Sequence, residues 1–441
     1  MSSSPAIESV RVDDIRFRFA RLGSGSDANN PHTDYSNPYV TVVAGDSVGV
    51  GIGFTLGRGN DLVCRAVSEL ASLVEGLTVD EFVGSFGRIW RVLANPPQSR
   101  WIAPGAGPYH MAAGAIANAV FDAWAKRRGL PLWEALVALE PEDIVAMLDF
   151  RYVEHLLSRE EALAILRRNA GSRDERVAEL KERGLPCYHT TWIGSSTEEL
   201  LEQIEGVRAE RGVTTFKVKV GRDLAHDRER LAAIRERFGD EIGLFVDANQ
   251  VWSVPQAIEW MEALADYGIG WIEEPTAPDL VDGHRAIREA LTPSGVDVVT
   301  GENCPNGQVA AQFIAGGAVD RFQIDACRVI GPAENILIML VAAKYGVPVC
   351  PHAGGSGLDE LVPHLAAFNY AWCSPSLDRV LVEQVGFCAD FFVAPSRVAG
   401  GRVAAPSQPG YIVGMTEEAR AVYAYPSGSA WRSSSSTGVV E

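Results

Sequence analysis

Seven ionisable residues recur at nearly even intervals through the second half of the chain. They are Lys219 in FKVKV (216–220), Asp247 in FVDAN (245–249), Glu273 in WIEEP (271–275), Glu302 in TGEN (300–303), Asp325 in QIDA (323–326), His352 in CPH (350–352) and Glu383 in VEQV (382–385). Subtracting their numbers gives steps of 28, 26, 29, 23, 27 and 31 residues, each the length of a strand plus a helix. Each sits late in an apolar run, just ahead of polar or Gly/Pro-rich sequence. One chemical residue per βα unit, at the C-terminal end of its strand, is the layout of a TIM-type barrel.

Three of the seven suggest a metal site. Asp247, Glu273 and Glu302 end successive strands, so their carboxylates converge on one point. Three hard oxygen ligands favour Mg²⁺, because zinc recruits His or Cys and calcium prefers more ligands. Glu274 is expected on the opposite face of its strand by simple alternation, as a supporting partner. Lys217 and Lys219, two apart on one strand, share a face inside the barrel. Two buried ammonium groups repel each other, which predicts a depressed pKa and a lysine able to act as general base. Asp325 and His352 end neighbouring strands about 4.8 Å apart, close enough for the carboxylate to orient the imidazole. Lysine on one side of a metal and histidine on the other would take a proton α to a bound carboxylate and stabilise the resulting enediolate.

The elements that carry these residues fit a chain of 441 residues, longer than one barrel needs. Residues 1–140 lack the βα rhythm. ESVRVDDIRFRF and YVTVVAGDSVGVGIGF read as antiparallel strands, followed by helices: an α+β capping domain. Within the helices, Leu62, Ala66, Leu70, Leu73 and Leu77 mark a core stripe, and MAAGAIANAVFDAWAKRRG repeats the pattern up to Gly129. The barrel, of (β/α)7β type, is expected over 141–385, beginning with a charged helical excursion near 155–185 and a first strand at CYHTTW (187–192). Residues 386–441 are expected to return to the capping domain and to end in the disordered serine-rich PSGSAWRSSSSTGVVE.

Composition excludes several classes. Acids outnumber bases 57 to 39, giving a formal charge of −18, which opposes binding to nucleic acid. No apolar run is long enough to cross a bilayer, and the N-terminus does not read as a signal peptide. The seven scattered cysteines form no C-x-x-C pair, consistent with a reducing, cytoplasmic setting.

Taken in order, K-x-K, VDAN, WIEEP, GE, QID and PH resemble the mandelate racemase subgroup of the enolase superfamily over essentially the whole chain. Within it, GSDANNPHTDYS (25–36), FTLGRGND (54–61), DFRY (149–152), EALAILRR (161–168) and PHAGGSGLDELVPHLA (351–366) are most similar to the L-fuconate dehydratases. The resemblance implies Lys219 as the base at C2, and His352, held by Asp325, as the acid that assists loss of the C3 hydroxyl. It further implies Lys217 and Glu383 at the substrate carboxylate, Asn249 against substrate, and Asp27 and Tyr35 in a loop over the polyol end. A homo-oligomer acting on a small sugar acid is implied as well. The residues alone show only a Gly/Ser/Asn/Asp-rich loop at 25–36. Asn303, Ser356 and Asp359 depart from the family pattern, as does TTWIGSS (190–196), and are expected to line the polyol pocket. Racemisation or epimerisation needs the same lysine and histidine and stays open, as does dehydration of another aldonic acid. A non-catalytic scaffold fits poorly, because every position of the set is filled.

Overall fold

The computed structural model describes residues 4–18, 25–31, 34–99, 101–102, 105–386, 388–411 and 414–432. Strands β1 (Ser9–Arg18), β2 (Asp34–Ala44) and β3 (Ser47–Ile52) form an antiparallel sheet in that order. Helix Gly107–Arg127 lies on β3 at a distance only glycine permits. A Cβ on Gly49 would stand 2.0 Å from the Ala119 carbonyl oxygen, and one on Gly51 2.2 Å from that of Ala115. Every residue of this helix from His110 to Ala125 is buried between the sheet and the barrel. On helix Asn60–Leu70 the buried stripe is Val63, Ala66, Val67 and Leu70, whereas Leu62 is 56% and Leu73 40% exposed. Ala66 and Leu70 of the expected stripe are buried, and Val63 and Val67 take the places expected of Leu62 and Leu73.

Parallel strands β4 (Leu185–Thr190), β5 (Thr215–Lys219), β6 (Gly243–Asp247), β7 (Ile269–Glu273), β8 (Asp297–Thr300) and β9 (Arg321–Phe322) pair consecutively. An extended stretch follows, with Val349 bridged to Phe322, and then β10 (Val382–Gln384), which pairs in parallel with β4. Helices connect each step, giving the modified TIM barrel expected from the spacing. Local sequence sets their ends. For helix Val254–Leu264, the Ser253 hydroxyl accepts from the Gln256 amide at 3.4 Å, and Pro255 occupies the first turn.

The excursion before the barrel has a structural purpose. Helices Arg159–Ala170 and Arg173–Arg183 pack on the outer helices Gly331–Tyr345 and Leu358–Trp372. Arg176 donates at 2.7 Å to the carbonyls of Tyr370 and Ser374, and Asn169 donates at 2.8 Å to that of Trp372, satisfying the C-terminal end of helix Leu358–Trp372. Beyond β10 the chain adds strands β11 (Val398–Ala399) and β12 (Arg402–Val403), the latter antiparallel to β4. It also covers β1, where Phe391, ahead of β11, stacks on Phe17, and where, after β12, Ala424 bridges Ile15 and the Tyr425 amide donates to the Asp14 carbonyl at 2.8 Å. The terminal segment expected to be disordered contains a helical turn, Ser429–Arg432, with Trp431 packed edge-on to Tyr425. Its indole supplies the apolar anchor that serine-rich composition concealed, and residues 433–441 lie outside the described residues. No helix of the described residues is long and apolar enough to cross a membrane.

Candidate active site

The parallel register aligns the chemistry. Lys219 pairs with Asp247 and Asp247 with Glu273, each the last residue of its strand, while Glu302 follows β8 by two residues. One carboxylate oxygen from each of Asp247, Glu273 and Glu302 falls within 4.8 Å of the others. Lys217 reaches into the cluster, with Nζ 2.6 Å from Glu273, 2.8 Å from Glu383 and 3.4 Å from Asp247; Lys219 Nζ stands 2.5 Å from Asp247. Asp247, Glu273, Glu302 and Glu383 thus outnumber the two ammonium groups they surround. Glu273 Oε2 is buried without a hydrogen-bond partner, which a bound cation would satisfy. An all-oxygen donor set therefore fits a hard cation.

The lysines do not behave as their spacing predicts. Burial acts against both charges, but Glu273, Glu383 and Asp247 around Lys217, and Asp247 beside Lys219, outweigh it, so both pKa values are raised rather than depressed. Mutual repulsion of two lysines is the smaller effect among four carboxylates. Burial likewise acts against Asp247, yet Lys219 and Lys217 hold it below the usual range. Glu273, raised by burial and by Asp247 and Glu383, is the member that repulsion drives towards holding a proton.

On the far side, His352 Nδ1 meets Asp325 Oδ2 at 2.7 Å. Its Nε2 lies 3.1 Å from Glu302 Oε2 and 3.0 Å from the Gly354 amide. Burial opposes the imidazolium, but Glu302 and Asp325 raise its pKa to about 10. Glu383 is fixed by the Thr190 hydroxyl and by the Ala353 amide at 2.8 Å.

A cavity of about 320 Å³ opens between Lys219 and His352, with Asn249, Glu302 and Asn303 on its wall. The capping sheet and its loop close it with Asp27, Tyr35 and Phe54. Tyr35 donates to the Gly25 carbonyl at 2.9 Å and stacks on Phe54, so it braces the loop. Burial raises the Asp27 pKa, against the pull of Lys219. Asp27, Tyr35, Lys219, Asn249, Glu302 and His352 thus line one cavity, with Lys217, Asp247, Glu273 and Glu383 in the ion-pair cluster behind Lys219 and Asp325 behind His352.

Glu274 departs from regular strand geometry at a φ of 43°, although its amide still donates to the Val299 carbonyl of β8 at 2.9 Å. Its carboxylate accepts from Gln250 and Asn303, the latter also contacting Glu302, which is the supporting place expected of it. Two expectations need correction. Ser356 does not line the pocket; its hydroxyl donates to Asn37 at 2.5 Å and ties β2 to the barrel. Asp359 turns away too, accepting from the Val385 and Gly386 amides. Of the departures, Asn303 and, from TTWIGSS (190–196), Trp192 reach the cavity. The sequence reading missed Gln250 and Arg328 on the cavity wall. Arg328, which donates to Asn303 Oδ1 at 3.1 Å, follows Asp325 by three residues, its only signal in the sequence.

A (β/α)7β barrel with three strand-end carboxylates, a K-x-K strand and an Asp–His pair opposite defines an enolase-type protein. The family model for "Enolase C-terminal domain-like" matches residues 199–419, and with the relatives below it places the chain in the enolase superfamily. Human mitochondrial enolase superfamily member 1 is 41% identical over 97% of both chains. L-galactonate dehydratase of Hypocrea jecorina is 42% identical over 96% of this chain and 95% of its own length. The crystal structure of the human protein superposes with a TM-score of 0.95, covering 98% of this chain and 99% of that one at 40% identity. L-talarate/galactarate dehydratase from Salmonella typhimurium LT2, solved with Mg and L-lyxarohydroxamate, shares the fold at a TM-score of 0.73 and 24% identity, covering 95% of this chain and 93% of that one.

Proposed function

We propose that this chain is a Mg²⁺-dependent hydro-lyase that converts an aldonic acid, L-fuconate or its 6-hydroxy analogue L-galactonate, to the 2-keto-3-deoxy acid. The observation that carries the reading is the placement of Lys219 and His352 on opposite sides of one cavity, each touching the carboxylate cluster. When bound among Asp247, Glu273 and Glu302, Mg²⁺ supplies positive charge that offsets the carboxylates now keeping Lys217 and Lys219 protonated, and attracts the charge that builds on the substrate carboxylate. Lys217 and Glu383 position that carboxylate. Lys219 takes the C2 proton, and His352, its Nδ1 held by Asp325, gives a proton from Nε2 to the departing C3 hydroxyl, which leaves as water. The enol then tautomerises to the keto acid.

Asn249, Asn303 and Arg328 offer hydrogen bonds to the polyol, while Phe54 and Trp192 give one part of the cavity an apolar wall. L-fuconate and L-galactonate differ only at C6, methyl against hydroxymethyl, and the H. jecorina relative bears the second substrate's name. The test is keto-acid formation from a panel of aldonic acids, with Mg²⁺ and with chelator, for wild type, Lys219→Ala and His352→Asn. Product from either sugar acid, absent in chelator and in both variants, supports the reading. Exchange of the C2 proton without keto acid would replace it by epimerisation.

A further inference from the structure

Each barrel strand is tied to the next by backbone pairing, from β10 through β4 to β9 and on to Val349. One seam differs. Among the described residues, no backbone hydrogen bond joins the Cys350–His352 stretch to β10. Two carboxylates bridge it instead, in opposite directions. Glu383, on β10, accepts from the Ala353 amide at 2.8 Å. Asp359, at the start of helix Leu358–Trp372, accepts from the amides beyond β10, with Oδ1 3.1 Å from Val385 N and Oδ2 2.6 Å from Gly386 N.

Asp359 is buried, touches no substrate group and takes no part in the chemistry above. Burying a carboxylate is unfavourable, and Glu360 beside it adds repulsion. Arg211, the last residue of helix Thr197–Arg211, packs against Gly386 and is the cation that acts on Asp359. The two amides that Asp359 engages lie two and three residues beyond Glu383, and Asp359 itself lies seven beyond His352.

We infer that Asp359 is a positioning residue: by clasping Val385 and Gly386 it sets β10 against the His352 loop and so fixes the separation of Glu383 and His352. The inference rests on the reading of Glu383 and His352 as substrate-handling groups. A side chain at the seam has this leverage because no ladder shares the restraint, and displacements near 1 Å at a reacting centre cost about 10²-fold in rate.

The test uses the full-length protein and two variants. Asp359→Ala removes both acceptors, and Asp359→Asn keeps one. Hydrogen–deuterium exchange, read without substrate, is expected to rise in peptides spanning 350–356 and 382–386 in the alanine variant and to stay unchanged across β5–β7. With Mg²⁺ saturating and well below the unfolding temperature, kcat should fall about 10- to 100-fold in Asp359→Ala and less in Asp359→Asn, while Mg²⁺ affinity by calorimetry stays at the wild-type value. Wild-type exchange and kcat in a folded Asp359→Ala would overturn the inference, as would loss of kcat and Mg²⁺ affinity together, which would mark general damage. If the alanine variant does not fold, a wild-type kcat in Asp359→Asn overturns it. A wild type inactive on every aldonic acid would defeat the functional reading, and the exchange experiment would still decide the clasp.

Discussion

Asp247→Asn tests the carboxylate cluster most directly, because Asp247 touches both lysines and supplies one corner of the cation site. Without cation, the substitution leaves Lys219 with its 2.5 Å partner gone and Lys217 with one fewer. Breaking a buried ion pair from one side costs about 3–5 kcal/mol. At roughly 2.1 cal/mol/K per residue, unfolding 441 residues carries an entropy near ~0.9 kcal/mol/K, so the metal-free variant should melt about 3–5 °C below wild type. With cation at 100 times its dissociation constant, wild type gains about 2.7 kcal/mol, or ~3 °C. If the loss of one ligand weakens binding 100-fold, the variant at the same concentration gains only ~0.4 kcal/mol, a shift under ~0.5 °C. Scanning calorimetry with chelator and with a Mg²⁺ series, beside keto-acid turnover, reads all three quantities. A full Mg²⁺-induced shift in Asp247→Asn, or no shift in wild type, would refute the cluster as the cation site.

Asp325→Asn should leave Mg²⁺ binding intact and lower kcat by about 10- to 100-fold, since the 2.7 Å bond to His352 is charge-assisted and sets which nitrogen faces substrate; steady-state kinetics would show it. Arg328→Leu should raise KM for the sugar acid about tenfold or more with a smaller change in kcat, because a cavity-wall donor and the support of Asn303 are lost together. Burial lowers the His364 pKa to about 3, and its Nδ1 accepts from the Trp133 amide. The unfolded chain therefore takes up a proton below about pH 6.5 that the folded chain refuses, and stability falls as pH drops. Between pH 6.5 and 4 this one residue should cost about 3 kcal/mol, or ~3 °C, a slope that unfolding curves of His364→Gln should lack.

The barrel and its chemical residues were legible because a parallel α/β barrel writes one site residue at the end of each strand, at a nearly constant step. Glu302 conformed although it lies past its strand, since the step counts units rather than hydrogen bonds. What failed depended on neighbours distant in sequence. Lys217 and Lys219 look like a repelling pair in a pentapeptide, and only the assembled barrel surrounds them with carboxylates. Glu274 takes a positive φ at the end of β7 that its sequence neighbours do not announce. Ser356 and Asp359 stand close to His352 in sequence, but the glycine-rich turn between them carries them behind the pocket, to Asn37 and to Gly386. Arg328 had no pattern to announce it, because a lone arginine acquires meaning only from the cavity it borders.

The late return of the chain to β1 bears on synthesis at the ribosome. The capping sheet is translated first, yet the Ile15 edge of β1 meets its bridge only when Ala424 has emerged, and Phe17 waits for Phe391 and Tyr423. The whole barrel is therefore made while the β1 edge, with Ile15 and Phe17, stands open. An open edge of that kind invites pairing with another nascent chain. Ribosomes stalled before residue 424 would carry the species most prone to aggregate, because the segment around Ala424 is the one that covers β1.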